Sequence, residues 1–365
     1  APYLAEAFGN PSSVHAWGRE ASSALEEARE GVAALLGAEP DEVYFVRGGT
    51  ESDNLAILGR ADQARRQGRD PIVATSAVEH RAVLDAAAEV ADGGGARSTL
   101  PVRPDGTLDA EALDEVLDRE PAVVSVMWVN NEVGIRLPVP ELARRCREAG
   151  VPLHTDAVQA VGRVPVRVDE TPVDLLTLTG HKIYGPKGTG VLFVREGTEL
   201  RARLFGGGQE RGLRPGTQDV AGAVGVAEAL RLAVGERESE AARLAGLRDD
   251  VEAGLRGGIP DLRIHGESAP RAPHISNVGV PDADLDGLMV GLDLAGIACS
   301  SGSACSSGAH RTSHVLRALY GTEAEGVSPL RFSLGRDTTA AHVERAVAAT
   351  VRVVERVRQT EAAAR

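Results

Sequence analysis

Lysine occurs at only two positions, Lys182 and Lys187, although the chain carries 40 Lys and Arg residues. Both lie in Thr177-Leu178-Thr179-Gly180-His181-Lys182-Ile183-Tyr184-Gly185-Pro186-Lys187-Gly188-Thr189-Gly190. Arginine fills nearly every position that needs only a positive charge. A guanidinium stays protonated, whereas an amine can lose its proton and form a Schiff base with an aldehyde. The stretch therefore holds either an amine nucleophile or two surface lysines in an arginine-rich chain. Charge alone does not rank the two lysines.

Three further stretches carry candidate chemistry. Gly48-Gly49-Thr50-Glu51-Ser52-Asp53-Asn54 follows an apolar run and opens a helical pattern. Its glycines allow a tight turn, and the first turn of a helix offers free N–H groups to an anion. It is neither a dinucleotide fingerprint nor a P-loop, and a capped turn is an equal reading. His154-Thr155-Asp156-Ala157-Val158-Gln159 closes another apolar run. Asp156 there can hold a pyridinium N–H or cap the next helix. His80, and the pair Asn130 and Asn131, stand just past two other apolar runs.

Cys299 and Cys305 lie in the small, polar, glycine-rich Ile297-Ala298-Cys299-Ser300-Ser301-Gly302-Ser303-Ala304-Cys305-Ser306-Ser307-Gly308. A metal set of Cys299, Cys305, His310 and His314 has cysteines spaced too widely for a zinc knuckle. A Cys299–Cys305 disulfide fits poorly with a reducing compartment. A nucleophilic thiol suits such a segment, which can enter and leave a pocket. Cys146 falls on a helical pattern and reads as a packed thiol.

The elements that must position these residues alternate. Strands are expected at residues 43–46, 71–75, 98–102, 122–129, 151–155, 174–178 and 190–194. Helical patterns cover residues 19–37, 53–66, 81–90 and 140–149. This indicates a mainly parallel sheet covered by helices, with ligands at the carboxyl ends of its strands. From residue 221 to 257 the chain is charged and alanine-rich, with a linking helix. Short strands at 262–264 and 275–278, a helix at 284–294 and a last pattern over the final thirty or so residues make an α+β appendage. The expected division is 1–235 for the large domain and 236–365 for the small one.

The chain has 365 residues, 42% hydrophobic and 25% charged, in the range of an ordinary globular protein. A formal charge of −13 argues against direct nucleic-acid binding or attachment to an anionic membrane. No apolar run approaches the ~20 residues of a membrane span, and the first residues lack the basic-then-apolar form of a signal peptide. Three cysteines are too few for a disulfide framework, so a reducing cytoplasm is expected.

Four strand ends thus bring an anion-binding turn, a flat ring in His80, an aspartate and a lysine. Together they describe a site for pyridoxal 5'-phosphate. Lys182 directly follows its strand and is the better amine; Lys187 belongs to the next turn.

The order of these motifs resembles that of cysteine desulfurases of the NifS/IscS group, within the class V aminotransferases. The resemblance runs through Gly48-Gly49-Thr50-Glu51-Ser52-Asp53-Asn54, Val78-Glu79-His80, Val129-Asn130-Asn131-Glu132, Asp156-Ala157-Val158-Gln159 and Gly180-His181-Lys182. It continues through Gly206-Gly207-Gly208-Gln209-Glu210-Arg211, Ser301-Gly302-Ser303-Ala304-Cys305 and Arg331-Phe332-Ser333-Leu334-Gly335-Arg336. It implies the aspartate-aminotransferase-like fold type I, with a seven-stranded sheet in the large domain, and a homodimer with its sites at the subunit interface. By position it makes Lys182 the covalent lysine, Asp156 the partner of the pyridine nitrogen, and Gln159 the contact of the ring hydroxyl. It stacks His80 on the ring and gives the phosphate to Thr50, Thr179, His181 and the Gly49 backbone, with Thr217 from the neighbouring subunit. Arg331 would pair with the substrate carboxylate, helped by Asn131.

The implied reaction takes sulfur from L-cysteine onto Cys305 as a persulfide and leaves alanine, with His80 as a proton shuttle. An acceptor protein, such as an iron–sulfur scaffold or a thiolation carrier, would then take the sulfur. The alternatives are a selenocysteine lyase, a class V aminotransferase with no need of Cys305, and a non-catalytic assembly scaffold. Members of the group open with a Tyr-Leu-Asp-Asn-Ala-Ala-Thr-Thr-Pro-like segment ahead of the part matching Phe8 to Ser13, and the present sequence begins after it.

Overall fold

The computed structural model describes residues 2–302 and 313–364. The chain forms two compact units. The first comprises Ala1–Pro101, Leu108–Trp128 and Pro138–Arg237; the second comprises Val102–Thr107, Val129–Leu137 and Glu238–Arg365. Two short stretches ahead of residue 138 therefore fold with the C-terminal part.

The first unit is built on strands β1 (Val43–Val46), β2 (Ile72–Ser76), β3 (Ala96–Leu100), β4 (Val123–Ser125), β5 (Leu153–Asp156), β6 (Leu175–Thr179) and β7 (Gly190–Val194). They form one sheet in the order β1-β7-β6-β5-β4-β2-β3. β7 runs antiparallel to both neighbours, and the other pairings are parallel. β5, β6 and β7 are buried along their whole length, as expected of strands covered on both faces.

The helices here are α1 (Pro2–Ala5), α2 (Ala16–Leu36), α3 (Gly49–Arg66), α4 (Arg81–Asp92), α5 (Ala110–Leu117) and α6 (Val139–Glu148). α4 buries Ala82, Val83, Ala86, Ala87 and Val90, one stripe at helical spacing, in a core shared with Val73, Val123, Leu175 and Leu192. Truncating Leu175, which is fully buried, to alanine would cost about 2–5 kcal/mol. α2 stops at Gly37, whose φ of 74° suits glycine; a Cβ there would meet the Asp169 carboxylate at 2.3 Å.

α7 (Val220–Gly258) runs from the first unit into the second. The second unit holds β8 (Arg263–Ile264), β9 (Ile275–Pro281) and β10 (Val327–Ser333), an antiparallel sheet in the order β10-β9-β8. Its helices are α8 (Leu285–Leu294), α9 (His314–Tyr320) and α10 (Ala340–Ala364). Leu255, Val278, Leu288, Leu330, Val353 and Val354 make its core.

The elements differ from the sequence reading in several places. The fourth strand was expected over 122–129 and ends at Ser125; beyond it Val126 and Trp128 still donate to β5 carbonyls, but the Met127 N–H donates to the Glu79 carboxyl. The third strand sits two residues earlier than expected, since its exposed Arg97 and Thr99 mask an edge strand. α5, capped by the Asp109 side chain, and β10 were not anticipated. Among the described residues, no helix is long and apolar enough to cross a membrane.

Candidate active site

In the first unit the candidate residues collect where strands end. β1 runs into α3 through Gly48, whose φ of 138° requires glycine and which caps the helix without any side-chain hydrogen bond. Gly48 has no side chain to offer the first amides of this long helix, and such a helix start suits an anion. A Cβ on Gly48 would lie 3.9 Å from Thr179 Oγ1, and one on Gly49 only 3.2 Å from Val158 Cγ2. The start of α3, the end of β6 and the turn after β5 therefore surround one spot. Thr50 is exposed at this helix start.

Thr179 Oγ1 lies 3.1 Å from the Thr189 carbonyl, to which it donates, and 3.0 Å from His181 Nδ1. With its single proton engaged, the hydroxyl accepts from the His181 ring. Burial, then Lys182 and Lys187, hold the His181 imidazole below its ordinary range. Lys182 sits in the single 3-10 turn Gly180–Ile183 that follows β6, and both His181 and Lys182 are exposed.

Asp156 ends β5 and is buried. Its Oδ1 accepts the Val158 N–H at 2.9 Å, so the carboxylate braces its own turn, with Gln159 half-buried just beyond. Burial raises its pKa, and the Val158 hydrogen bond and the charges of His80 and Lys182 oppose that rise. Asp156 thus lies within the field of both His80 and Lys182. His80 itself caps α4, its Nδ1 accepting the Ala82 N–H at 3.1 Å.

Beneath Asp156 lies a buried polar layer that the sequence reading missed. Ser125 Oγ and His154 Nδ1 are 2.8 Å apart, His154 Nε2 and Thr177 Oγ1 3.0 Å, and Thr177 Oγ1 donates to Ser52 Oγ at 2.8 Å. Burial lowers the His154 pKa to about 3, keeping the ring neutral. Asp53 and Glu79 are buried beside this layer, and each is raised first by burial and further by the charge of Asp156. Glu79, immediately before His80 in the motif, was the available signal.

Thr217 is exposed in the loop before α7. That loop is tied to α3 by Arg214 Nε on Glu51 Oε1 at 2.8 Å, and its fold rests on a buried pair. Arg29 donates to both Glu210 oxygens at 2.9 Å.

In the second unit, Arg331 on β10 donates from Nη1 to the Asn131 carbonyl at 2.8 Å. Asn131 is half-buried, whereas Asn130 is fully buried and its Oδ1 accepts the Glu132 and Val133 N–H groups at 2.9 Å. Asn130 is therefore a turn residue and does not face a ligand crevice. Cys305 and His310 lie outside the described residues. Cys299 is half-buried with its Sγ 3.7 Å from Met289 Sδ, and Cys146 is buried on α6.

The sequence pattern of "Aminotransferase class-V" matches residues 1–346. The chain belongs to this family. It is 40% identical over 357 residues to "Cysteine desulfurase IscS" of Dictyoglomus turgidum, covering 98% of this chain and 90% of that protein. A solved "NIFS-like protein" superimposes with a TM-score of 0.87 at 31% identity, over 97% of this chain and 93% of that one. A second, "SspA in complex with cysteine", gives a TM-score of 0.78 at 32% identity, over 91% and 92%. The chain is a pyridoxal-phosphate enzyme of fold type I, a cysteine desulfurase of the NifS/IscS type.

Its residues fit that cofactor. A phosphate needs donors, and the uncapped start of α3 beside Thr179 and His181 supplies them. A pyridine nitrogen needs a buried carboxylate, and Asp156 is one, with Lys182 within its field.

Proposed function

We propose that L-cysteine gives up its sulfur to Cys305 and leaves as L-alanine. The observation that carries this reading is Asp156, buried at a strand end within the field of both His80 and Lys182. Bound pyridoxal phosphate supplies an electron sink for the carbanion at the substrate Cα. Lys182 would hold the cofactor, and its amine would accept the Cα proton. Asp156 would keep the pyridine nitrogen protonated, Gln159 would meet the ring hydroxyl, and His80 would lie against the ring and pass protons.

Gly49, Thr50, Thr179 and His181 hold the phosphate. Arg331 forks onto the substrate carboxylate beside Asn131. The Cys305 thiolate attacks the substrate sulfur; an S–S bond forms as the C–S bond breaks, and its electron pair stays with the carbon skeleton, which is protonated to alanine. We further propose a cytoplasmic homodimer, with Thr217 reaching the phosphate held by the other protomer, and delivery of the persulfide to an acceptor protein such as an iron–sulfur scaffold. The relatives' names support the substrate and the sulfur chemistry.

The test is incubation of the pyridoxal-phosphate-loaded protein with L-cysteine, following alanine and a persulfide on Cys305 together. Both should appear in equal amounts in the first turnover. Sulfide release by Cys305→Ala at the wild-type rate would sink the reading.

A further inference from the structure

Gly302 and Ser313, which flank the segment bearing Cys305 in sequence, both lie against the side chain of Glu132. Glu132 is 3% exposed. Its Oε2 accepts the hydroxyl proton of Ser313, which in turn accepts the Val315 N–H at 3.1 Å at the head of α9. At the other end, a Cβ on Gly302 would lie 2.9 Å from the same Oε2 and 3.6 Å from Asn277 Nδ2. Gly302 has φ of 93°, so glycine is required there both by conformation and by the closeness of the carboxylate.

Glu132 is itself fixed at three points. Its N–H donates to Asn130 Oδ1 at 2.9 Å, and its carbonyl accepts from Asn277 Nδ2 at 2.9 Å. The preceding residue, Asn131, holds Arg331 through its carbonyl. The backbone of Arg331 then pairs with Ser300, Arg331 N–H to the Ser300 carbonyl at 2.6 Å and the reverse bond at 3.2 Å. Hydrogen bonds thus join Asn131 to Arg331, Arg331 to Ser300 and the Gly302 N–H to Ser300 Oγ, and Gly302 packs close to the Glu132 carboxylate. A satisfied buried network of this kind rigidifies what it joins.

The geometry points to Glu132 as a positioning residue that clamps both ends of the cysteine segment and sets them in register with Arg331. This rests on the roles of Cys305 and Arg331 given above. Holding the two flanking residues in register with Arg331 lowers the orientational cost of bringing thiol and substrate together.

The test compares Glu132→Ala, Glu132→Gln and Ser313→Ala in the cofactor-loaded enzyme. Glu132→Ala and Ser313→Ala should slow single-turnover persulfide formation about tenfold, with KM for L-cysteine changed less than about twofold. Glu132→Gln keeps an oxygen acceptor for Ser313 and should recover most of the rate. In cofactor-free protein, iodoacetamide should label Cys305 several-fold faster in the two alanine variants than in wild type. Wild-type persulfide and labelling rates in Ser313→Ala overturn the clamp, as does a raised KM at unchanged kcat. If Cys305→Ala is inactive while Ser313→Ala is unaltered, the clamp fails and the proposed reaction stands. If Cys305→Ala is fully active, the reaction itself fails.

Discussion

The Nδ1 of His80 accepts the backbone N–H of Ala82 at 3.1 Å, so the imidazole caps α4. Accepting at Nδ1 requires the proton of the neutral ring to sit on Nε2, which leaves that nitrogen as the donor. The cap is thus separable from the proposed proton relay.

Substitution can part them. Asparagine is a good cap, so His80→Asn should keep the thermal midpoint near wild type, whereas His80→Ala should lose about 0.5–2 kcal/mol of stability. Both should lower turnover by about 10²–10⁴-fold, because neither supplies a ring to relay a proton. A His80→Asn enzyme with wild-type turnover would leave His80 with the cap alone.

Glu79 gives a pH prediction of opposite sign to the usual carboxylate. Burial raises its pKa from the ordinary 4.5 to about 8, against the hydrogen bonds from Ser76 Oγ and the Met127 N–H. Between those two values the folded protein holds a proton that the unfolded chain has released, so stability falls as pH rises through that window. Glu79→Gln imitates the protonated acid and keeps the acceptor oxygen. Its urea midpoint should therefore fall less than that of wild type between pH 5 and about 8, with the two curves meeting at the acid end. His154, lowered to about 3 from 6.5, acts on the other side: its contribution is lost as pH drops below 6.5. Parallel curves for Glu79→Gln and wild type would rule out the buried acid as the cause.

Most of the sheet was legible because its strands are buried on both faces, and continuous Val/Leu runs such as Leu175 to Leu178 have few other solutions. β10 was hidden by Pro329, which reads as a breaker but is tolerated in a strand at the sheet edge. The site was legible only as a set of strand ends. Glu79, Asp53 and Glu132 stand inside the motifs, but nothing local marks them as buried, since a buried acid and a surface acid look alike in a sequence until their neighbours are known. Asn130 misled for the same reason: its side chain is spent on the turn that presents Asn131 and Glu132.

Arg331 should be replaceable by neither alanine nor lysine. Its Nη1 is fixed on the Asn131 carbonyl at 2.8 Å, which aims the planar fork. Losing a charged hydrogen-bonding partner of a carboxylate costs about 1.5–3 kcal/mol, so KM for L-cysteine should rise roughly 10–100-fold in Arg331→Ala. Arg331→Lys should behave more like alanine than like wild type. The cofactor absorbance, which reports Asp156 and Lys182, should not move in either variant. A normal KM in Arg331→Ala would transfer the carboxylate to another group.

The two described thiols set the background against which Cys305 must be read. Burial pushes the Cys146 thiol up to about 12 and that of Cys299 up to about 11. At neutral pH both are almost wholly protonated, and a thiol in that state neither attacks sulfur nor alkylates at an appreciable rate. Cys299 also lies against the small-unit core, with its Sγ 3.7 Å from Met289 Sδ, where it behaves as an apolar group. Brief iodoacetamide treatment of the native protein at neutral pH should therefore place one label, on Cys305, as read by peptide mass spectrometry. Cys299→Ala should desulfurate at a rate within about twofold of wild type, its cost falling instead on stability through a small cavity. Labelling of Cys299 as fast as Cys305, together with a loss of persulfide in Cys299→Ala, would instead give Cys299 a part in the sulfur transfer.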